Sequence, residues 1–192
     1  FRKGIEDHSM RSICVFCGSS TGKDPIYRAA AVELGTLLAE RGIHLVYGGG
    51  SIGLMGVLAD AVLDSGGTVT GVIPESLEVR EVGHPSVTEM HVVSDMHARK
   101  ALMLKLSDGL IAMPGGYGTF EELLEVLTWR QLGLHKKSIG LLNVGGYFNV
   151  LLQFFDHAVG EGFVKEKNLA LLYTSGTVHG VLNQMFEKES SA

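Results

Sequence analysis

The sequence predicts a single α/β domain, a Rossmann-like doubly wound parallel sheet with helices on both faces. At 192 residues the chain is a little longer than one typical domain of about 150. Its 45% of hydrophobic residues is enough for one sizeable core. Short apolar, β-branched runs alternate with segments of helical period, and strands without a polar face are typical of parallel sheets.

The short apolar runs predict seven strands, the last of them weaker than the others. They cover residues 12–16, 44–47, 68–73, 87–93, 109–113, 138–142 and 169–173. The segments between them predict six helices, at 25–41, 54–65, 96–106, 120–132, 147–160 and 178–188. The helix at 25–41 has the clearest pattern, because Ala30, Leu34 and Leu38 recur at helical spacing after Asp24, a suitable N-cap.

The ends and the charge of the chain set further limits. Residues 1–10 are polar and patternless, so we expect an artificial extension or a disordered start, and a domain over 11–192. The 16 basic and 21 acidic residues give a net charge of −5, which argues against a nucleic-acid partner. No run of apolar residues is long enough for a membrane span, so we expect a cytoplasmic protein without a membrane partner.

Cys14 and Cys17 form a C-x-x-C pair inside a predicted strand. A redox pair normally opens a helix, and residues three apart on a strand point to opposite faces. We therefore expect buried structural thiols. The eight histidines show no metal-ligand spacing, so no metal is expected.

The first glycine-rich loop lies between a predicted strand and a predicted helix. Gly48, Gly50 and Gly53 satisfy G-x-G-x-x-G, with Gly49 between the first two. This context is typical of a phosphate at the helix start, although glycines also simply make tight turns. A dinucleotide would require an acidic residue about 20 positions further on, where Glu75 is a poor candidate.

A second glycine-rich loop, with Gly115, Gly116 and Gly118 around Tyr117, also precedes a helix. Two such loops at one edge of a sheet could surround a nucleoside monophosphate. Thr119 and Glu122 also match a capping box, T-x-x-E. On local grounds Glu122 is therefore either a helix cap or a carboxylate directed at a bound sugar.

The predicted helix at 96–106 carries Arg99 on a mostly apolar stripe. The guanidinium either is buried with an anionic partner or extends to the surface. The simplest interpretation of Lys100 is a solvent-exposed side chain, although its ammonium could reach a phosphate. Met96 and Met103 make this helix more apolar than one sheet face needs, which favours contact with a second copy of the chain.

Together these motifs resemble the Lonely Guy family of cytokinin-activating phosphoribohydrolases, from about residue 12 through the last helix. The specific features are P-G-G-Y-G-T-F-E-E at 114–122, M-H-A-R-K at 96–100 and Y-G-G-G at 47–50. The resemblance implies a homodimer that hydrolyses cytokinin nucleoside 5′-monophosphates, and possible activity on AMP. It also implies catalytic roles for Arg99 and Glu122. The substrate contacts it implies are Glu81, Lys100, Gly116, Tyr117, Gly118, Thr119 and Thr128.

The chemistry of N-glycosidic cleavage suits these residues. The transition state resembles a ribose oxocarbenium ion, which the Glu122 carboxylate could stabilise. No second carboxylate belongs to the motifs, so the proton for the leaving base comes from Asp95 or from solvent. No cofactor is expected.

Three other functions compete with hydrolysis. A non-catalytic nucleotide or cofactor carrier would need the loops but neither Arg99 nor Glu122. A lysine decarboxylase would hold pyridoxal phosphate on a lysine, for which Lys100 is the candidate. A nicotinamide-dependent dehydrogenase rests on the first loop alone.

Overall fold

The computed structural model describes residues 10–78 and 83–189. Seven strands form one sheet in the order β4-β3-β2-β1-β5-β6-β7, and every neighbouring pair is parallel. The strands are β1 (Ser12–Phe16), β2 (His44–Tyr47), β3 (Val69–Pro74), β4 (Glu89–Val93), β5 (Gly109–Ala112), β6 (Ser138–Leu142) and β7 (Leu172–Ser175). The predicted fold class is confirmed.

Seven α-helices connect and follow the strands in the described chain. They are α1 (Pro25–Glu40), α2 (Gly53–Asp64), α3 (Glu75–Glu78), α4 (Met96–Lys105), α5 (Tyr117–Gln131), α6 (Asn149–Gly160) and α7 (Val178–Glu189). Helix α1 begins as predicted, because the Asp24 side chain accepts a hydrogen bond from the Ile26 amide at 3.0 Å. The one-turn helix α3 lies where no helix was predicted.

The helices divide into two layers with separate cores. Helices α1, α2 and α7 cover one face of the sheet, and α4, α5 and α6 cover the other. Cys14 packs in the core under α4, α5 and α6, and Cys17 packs in the core under α1, α2 and α7. Both thiols are free and buried. The expectation of structural thiols on opposite faces is confirmed.

The last strand begins three residues later than predicted. Residues Glu166–Leu171 form a 3-10 helix, and β7 starts at Leu172, where it pairs with Ile139 of β6. The apolar side chains of Leu169 and Leu171 suggested a strand, but they line a groove between α5 and α6.

Met10, which the sequence analysis left outside the domain, is buried in the core beneath Gly109. The expectation for the preceding nine residues lies outside the described chain. None of the described helices is long and apolar enough to cross a bilayer.

Helix α6 carries two strongly exposed apolar side chains. None of the described α6 residues is fully buried, and Val150 and Phe154 are 77% and 61% exposed. Met103 of α4 is buried in the core, and Met96 borders a cavity at the sheet edge. The methionines of α4 therefore do not form the unpartnered apolar face that we expected there.

Candidate functional site

A cavity of about 330 Å³ opens at the carboxyl end of β1. The order of the strands reverses between β1 and β5, and doubly wound sheets bind ligands at such a switch point. The cavity brings together seven of the predicted site residues: Gly48, Arg99, Gly116, Tyr117, Gly118, Thr119 and Glu122.

The start of α5 forms one wall of this cavity. Gly116 is the N-cap and makes no side-chain cap, so the first-turn amides have no intrahelical partner. A Cβ at Gly116 or Gly118 would meet no atom within 4 Å, which leaves the approach to these amides open. Free amides and the positive end of the helix dipole make this wall suitable for an anion.

The expectation of a capping box at Thr119 and Glu122 is wrong. Helix α5 starts at Tyr117, three residues earlier than predicted, so Thr119 occupies its third position rather than the N-cap. The Thr119 side chain packs instead where a Cβ on Gly115 would lie. Glu122 lies more than one turn into the helix, is 8% exposed and is one of the residues that line the cavity. Helix capping therefore does not explain Glu122.

Arg99 is the buried cation of the site, at 5% exposure. Its Nε donates to the Val72 carbonyl at 3.1 Å, and its Nη2 donates to the Gly48 carbonyl at 2.8 Å. Both carbonyls lie at the carboxyl ends of neighbouring strands, so two backbone dipoles hold the guanidinium beside the cavity. A side chain at position 48 would overlap Nη2, which explains a glycine there.

The first glycine loop is more closed than its sequence suggests. The Leu54 amide in the first turn of α2 donates to the Gly18 carbonyl at 3.0 Å. Gly53 has φ of 64°, and a Cβ there would overlap the backbone of Ser19. Because the loop after β1 covers this helix start, α5 offers an anion the more accessible amides.

Gly18 and Ser19 are cavity residues that the sequence analysis missed. The Gly18 amide donates to the Pro114 carbonyl at 3.1 Å, so the loop after β1 joins both glycine loops. The available signal was a glycine and two serines directly after a predicted strand that ends at the sheet edge.

Three of the predicted glycines lie behind the cavity rather than in its lining. The Gly49 carbonyl accepts from the His84 amide at 2.9 Å, and Gly50 forms a β-bridge with Gly83. The Gly115 carbonyl accepts from the Tyr147 hydroxyl at 2.5 Å. These contacts hold the shape of the two loops.

Lys100 and Thr128 are not among the residues that line this cavity. Lys100 is buried, not solvated, and its ammonium contacts Glu121 and Glu125 of α5. Thr128 borders a separate groove of about 390 Å³ between α5 and α6, and its hydroxyl donates to the Leu124 carbonyl at 2.7 Å. Glu81 lies outside the described residues.

Several groups around the site have shifted pKa values, and those of Asp95 and Cys17 bear on its chemistry. Asp95 is the N-cap of α4, and hydrogen bonds from the Ala98 amide and the Ser94 hydroxyl lower its pKa. A carboxylate that is stabilised as an anion is a poor proton donor. Burial and the Glu122 charge raise the pKa of the Cys17 thiol, although Arg99 opposes this. The thiol is therefore neutral and unsuited to nucleophilic attack. Among the described residues, no group of three or more His, Cys, Asp or Glu side chains could hold a metal ion.

Fold and cavity together define a doubly wound α/β protein with an open helix start, a buried arginine and a buried glutamate at the switch point. Residues 55–185 match the protein family described as "Possible lysine decarboxylase". Among solved structures, the molybdenum cofactor carrier protein of Chlamydomonas reinhardtii superposes with a TM-score of 0.71. It covers 95% of this chain and 99% of the carrier at 22% identity, which shows a shared fold.

Curated relatives are much more similar in sequence. The cytokinin riboside 5′-monophosphate phosphoribohydrolase LOG3 of Arabidopsis thaliana is 52% identical over 96% of this chain and 86% of its own length. LOG1 of the same plant is 59% identical over 82% of this chain and 74% of its own. LOG of Oryza sativa subsp. japonica is 54% identical over 92% and 73%. The chain belongs to the Lonely Guy family of cytokinin riboside 5′-monophosphate phosphoribohydrolases, as its motifs predicted.

Proposed function

We propose that this protein hydrolyses the N-glycosidic bond of cytokinin riboside 5′-monophosphates to free cytokinin and ribose 5-phosphate, and that AMP is a second substrate. The observation that carries the proposal is one cavity that holds the open start of α5, the Glu122 carboxylate and the Arg99 guanidinium. The family relationship names the bond that is cleaved in the relatives.

Helix α5 supplies both ends of the proposed sugar phosphate site. The amides of Tyr117, Gly118 and Thr119 bind the 5′-phosphate, and Glu122 lies one turn, about 5.4 Å, beyond Gly118. There the carboxylate stabilises the positive charge that develops on the ribose as the base leaves. Phosphate binding fixes the sugar against this carboxylate.

Arg99 and solvent complete the proposed mechanism. The guanidinium, held by two backbone carbonyls, contacts the sugar or phosphate of the nucleotide. Asp95 is a poor donor because its pKa is lowered by hydrogen bonds at the start of α4. As the N-glycosidic bond breaks, a water molecule adds its oxygen to the anomeric carbon of the ribose and loses a proton to solvent. The leaving base takes up one proton from solvent, so the sum of the two steps is hydrolysis.

We also propose that the protein is a homodimer that assembles through the face formed by α5 and α6. This face exposes Leu124, Leu132, Leu134, Val150 and Phe154. Large exposed apolar patches often mark interaction sites between proteins, and we infer that these side chains form one. A two-fold axis would place the same face of a second copy against it.

The other functions lack comparable support. The carrier resemblance is one of fold, at 22% identity, and a carrier requires no carboxylate at the site. A decarboxylase would require a free lysine for pyridoxal phosphate, whereas the Lys100 ammonium is held between two glutamates.

The test is incubation of the purified protein with a cytokinin riboside 5′-monophosphate, with AMP and with each unphosphorylated nucleoside. Chromatography should show free base and ribose 5-phosphate from the monophosphates and very little base from the nucleosides. Binding without release would indicate a carrier. Carbon dioxide from lysine, with an aldimine absorption band that Lys100→Ala abolishes, would indicate a decarboxylase. Equal rates for nucleoside and monophosphate would overturn the phosphate assignment.

A further inference from the structure

Lys100 lies in an ion cluster between α4 and α5, next to the cavity but outside its lining. Its side chain is 7% exposed, and its Nζ contacts Glu121 and lies 3.1 Å from Glu125 Oε1. Glu121 and Glu125 are four residues apart, so they face the same side of α5. A buried ammonium thus joins one helix to two carboxylates on the next.

This cluster is adjacent in sequence to both candidate catalytic side chains. Arg99 precedes Lys100 on α4, and Glu122 follows Glu121 on α5. Successive residues on a helix are rotated by about 100°, so each pair directs one side chain to the cavity and the other to the facing helix. Any shift of α5 against α4 that disturbs the cluster also moves Glu122 relative to Arg99.

Charge makes the cluster difficult to rearrange. Burial lowers the pKa of Lys100, but the two glutamates outweigh this effect and raise it overall, so the ammonium stays charged at neutral pH. To reach a phosphate in the cavity, Lys100 would have to leave both carboxylates. That move would leave Glu125, only 21% exposed, without its cation.

We propose that Lys100, Glu121 and Glu125 are positioning residues that fix Glu122 relative to Arg99, and that Lys100 does not contact the nucleotide phosphate. This inference rests on the proposed hydrolase function. It adds two glutamates to the functional residues and changes the role that the family resemblance implies for Lys100.

The experiment compares Lys100→Met with the double variant Glu121→Gln/Glu125→Gln and with all three changes combined. Lys105→Met, which removes an exposed lysine of the same helix, is the matched control. For each protein, steady-state hydrolysis gives kcat and KM. Calorimetry with ribose 5-phosphate, a product that cannot be hydrolysed, measures phosphate binding separately. Thermal melting identifies any variant that is unfolded at the assay temperature.

A positioning role predicts that Lys100→Met and the double variant each lower kcat by a factor on the order of ten to a hundred, because small displacements of reacting groups are costly. The dissociation constant of ribose 5-phosphate should change less than about threefold, since no charged contact to phosphate is lost. The triple variant should be little slower than either parent, because interacting residues have non-additive effects. Lys105→Met should match the wild type.

A direct phosphate contact predicts a different pattern. Lys100→Met would then raise the dissociation constant of ribose 5-phosphate roughly tenfold or more and narrow the preference for the monophosphate over the nucleoside. The glutamate variants would leave the dissociation constant of ribose 5-phosphate and the preference for the monophosphate unchanged. That result, or full activity of the folded double variant, would overturn the inference. Absence of hydrolysis by the wild type would instead overturn the proposed function, so the two failures are distinguishable.

Discussion

Gly48 shows how one missing side chain can determine the position of a charge. A Cβ at this position would overlap Nη2 of Arg99, whose guanidinium is already held by two carbonyls. We predict that Gly48→Ala displaces the guanidinium and lowers kcat/KM by a factor on the order of ten to a hundred. Steady-state release of free base measures this effect.

The control for Gly48→Ala is Gly160→Ala, because a Cβ at Gly160 meets no atom within 4 Å. This control should retain wild-type activity. Both variants should keep melting temperatures within a few degrees of the wild type. Normal turnover by folded Gly48→Ala would show that the exact placement of Arg99 is unimportant.

Glu122 does not cap α5, so its replacement by glutamine tests the charge of the carboxylate without the loss of a helix cap. Glu122→Gln keeps the size of the side chain, and we predict that hydrolysis falls about a hundredfold or more because the developing positive charge loses its counter-ion. Monophosphate binding should change little, since the interaction matters mainly in the transition state. Calorimetry and base release measure the two effects. A fully active Glu122→Gln protein would remove the carboxylate from the mechanism.

Single residues of the candidate site could be predicted from sequence only where a local pattern required them. Glycines before a helix and an arginine on an apolar stripe are such patterns, and Arg99 and Glu122 do border one cavity. The surroundings of Lys100 depend on how α4 packs against α5, a long-range contact without a local signal. Thr128 shares α5 with Glu122, but it is six positions further on and faces the groove on the side of α6.

At the level of elements, an aromatic cluster supports the second glycine loop. The Tyr147 ring lies edge-on to Tyr27 and Phe148, at 5.6 and 4.9 Å between centroids, and its hydroxyl donates to the Gly115 carbonyl. We predict that Tyr147→Phe loosens the loop and weakens monophosphate binding several-fold. The stability loss should be about 1 kcal/mol, typical of one hydrogen bond. Calorimetry and urea unfolding measure these changes.

Tyr27→Phe is the matched control for Tyr147→Phe, because the Tyr27 hydroxyl has no hydrogen-bond partner among the described residues. It should bind the monophosphate like the wild type. Equal losses in the two variants would show that the hydrogen bond from Tyr147 to Gly115 is not the cause, because both variants keep the aromatic ring.

The order and type of the predicted elements are correct, whereas two boundaries are wrong by three residues for physical reasons. Threonine suggested the start of α5, but extended Gly116 (φ −101°, ψ −154°) caps the helix through its backbone. The apolar residues before β7 suggested a longer strand, but strand pairing begins only at Leu172. The spacing of hydrophobic residues identifies a helix or a strand reliably. The ends of that helix or strand depend on contacts that the local sequence does not show.

For the whole molecule, two partly buried histidines predict how stability depends on pH. Burial lowers the pKa of His44 on β2, whose ring nitrogens contact the hydroxyls of Thr68, just before β3, and of Thr70, on β3. Burial, with the charges of Arg130 and Lys137, also lowers the pKa of His135. Both folded-state pKa values therefore lie below the ordinary 6.5. Their contribution to stability is present above pH 6.5 and is lost as the pH falls from there through the folded-state pKa.

Urea unfolding between pH 7.5 and 5 measures this dependence. We expect the free energy of unfolding to fall over that range in the wild type and to fall less in His44→Gln/His135→Gln. An identical slope in the two proteins would exclude these histidines as its source.

The exposed apolar side chains of α6 predict how two copies of the molecule assemble. Helix α6 packs on the sheet with one side only, and Val150 and Phe154 remain 77% and 61% exposed. Burial of these side chains against a second copy is favourable by about 25 cal/mol for each Å² removed from water. A charge at the centre of such an interface would have to be buried unpaired, so we predict that Phe154→Asp converts the proposed dimer to a monomer.

Val32→Asp is the control, because Val32 is 42% exposed on α1, on the opposite face of the sheet. Sedimentation at micromolar concentration should show a dimer for the wild type and Val32→Asp and a monomer for Phe154→Asp. A wild-type protein that sediments as a fully active monomer would refute the assembly.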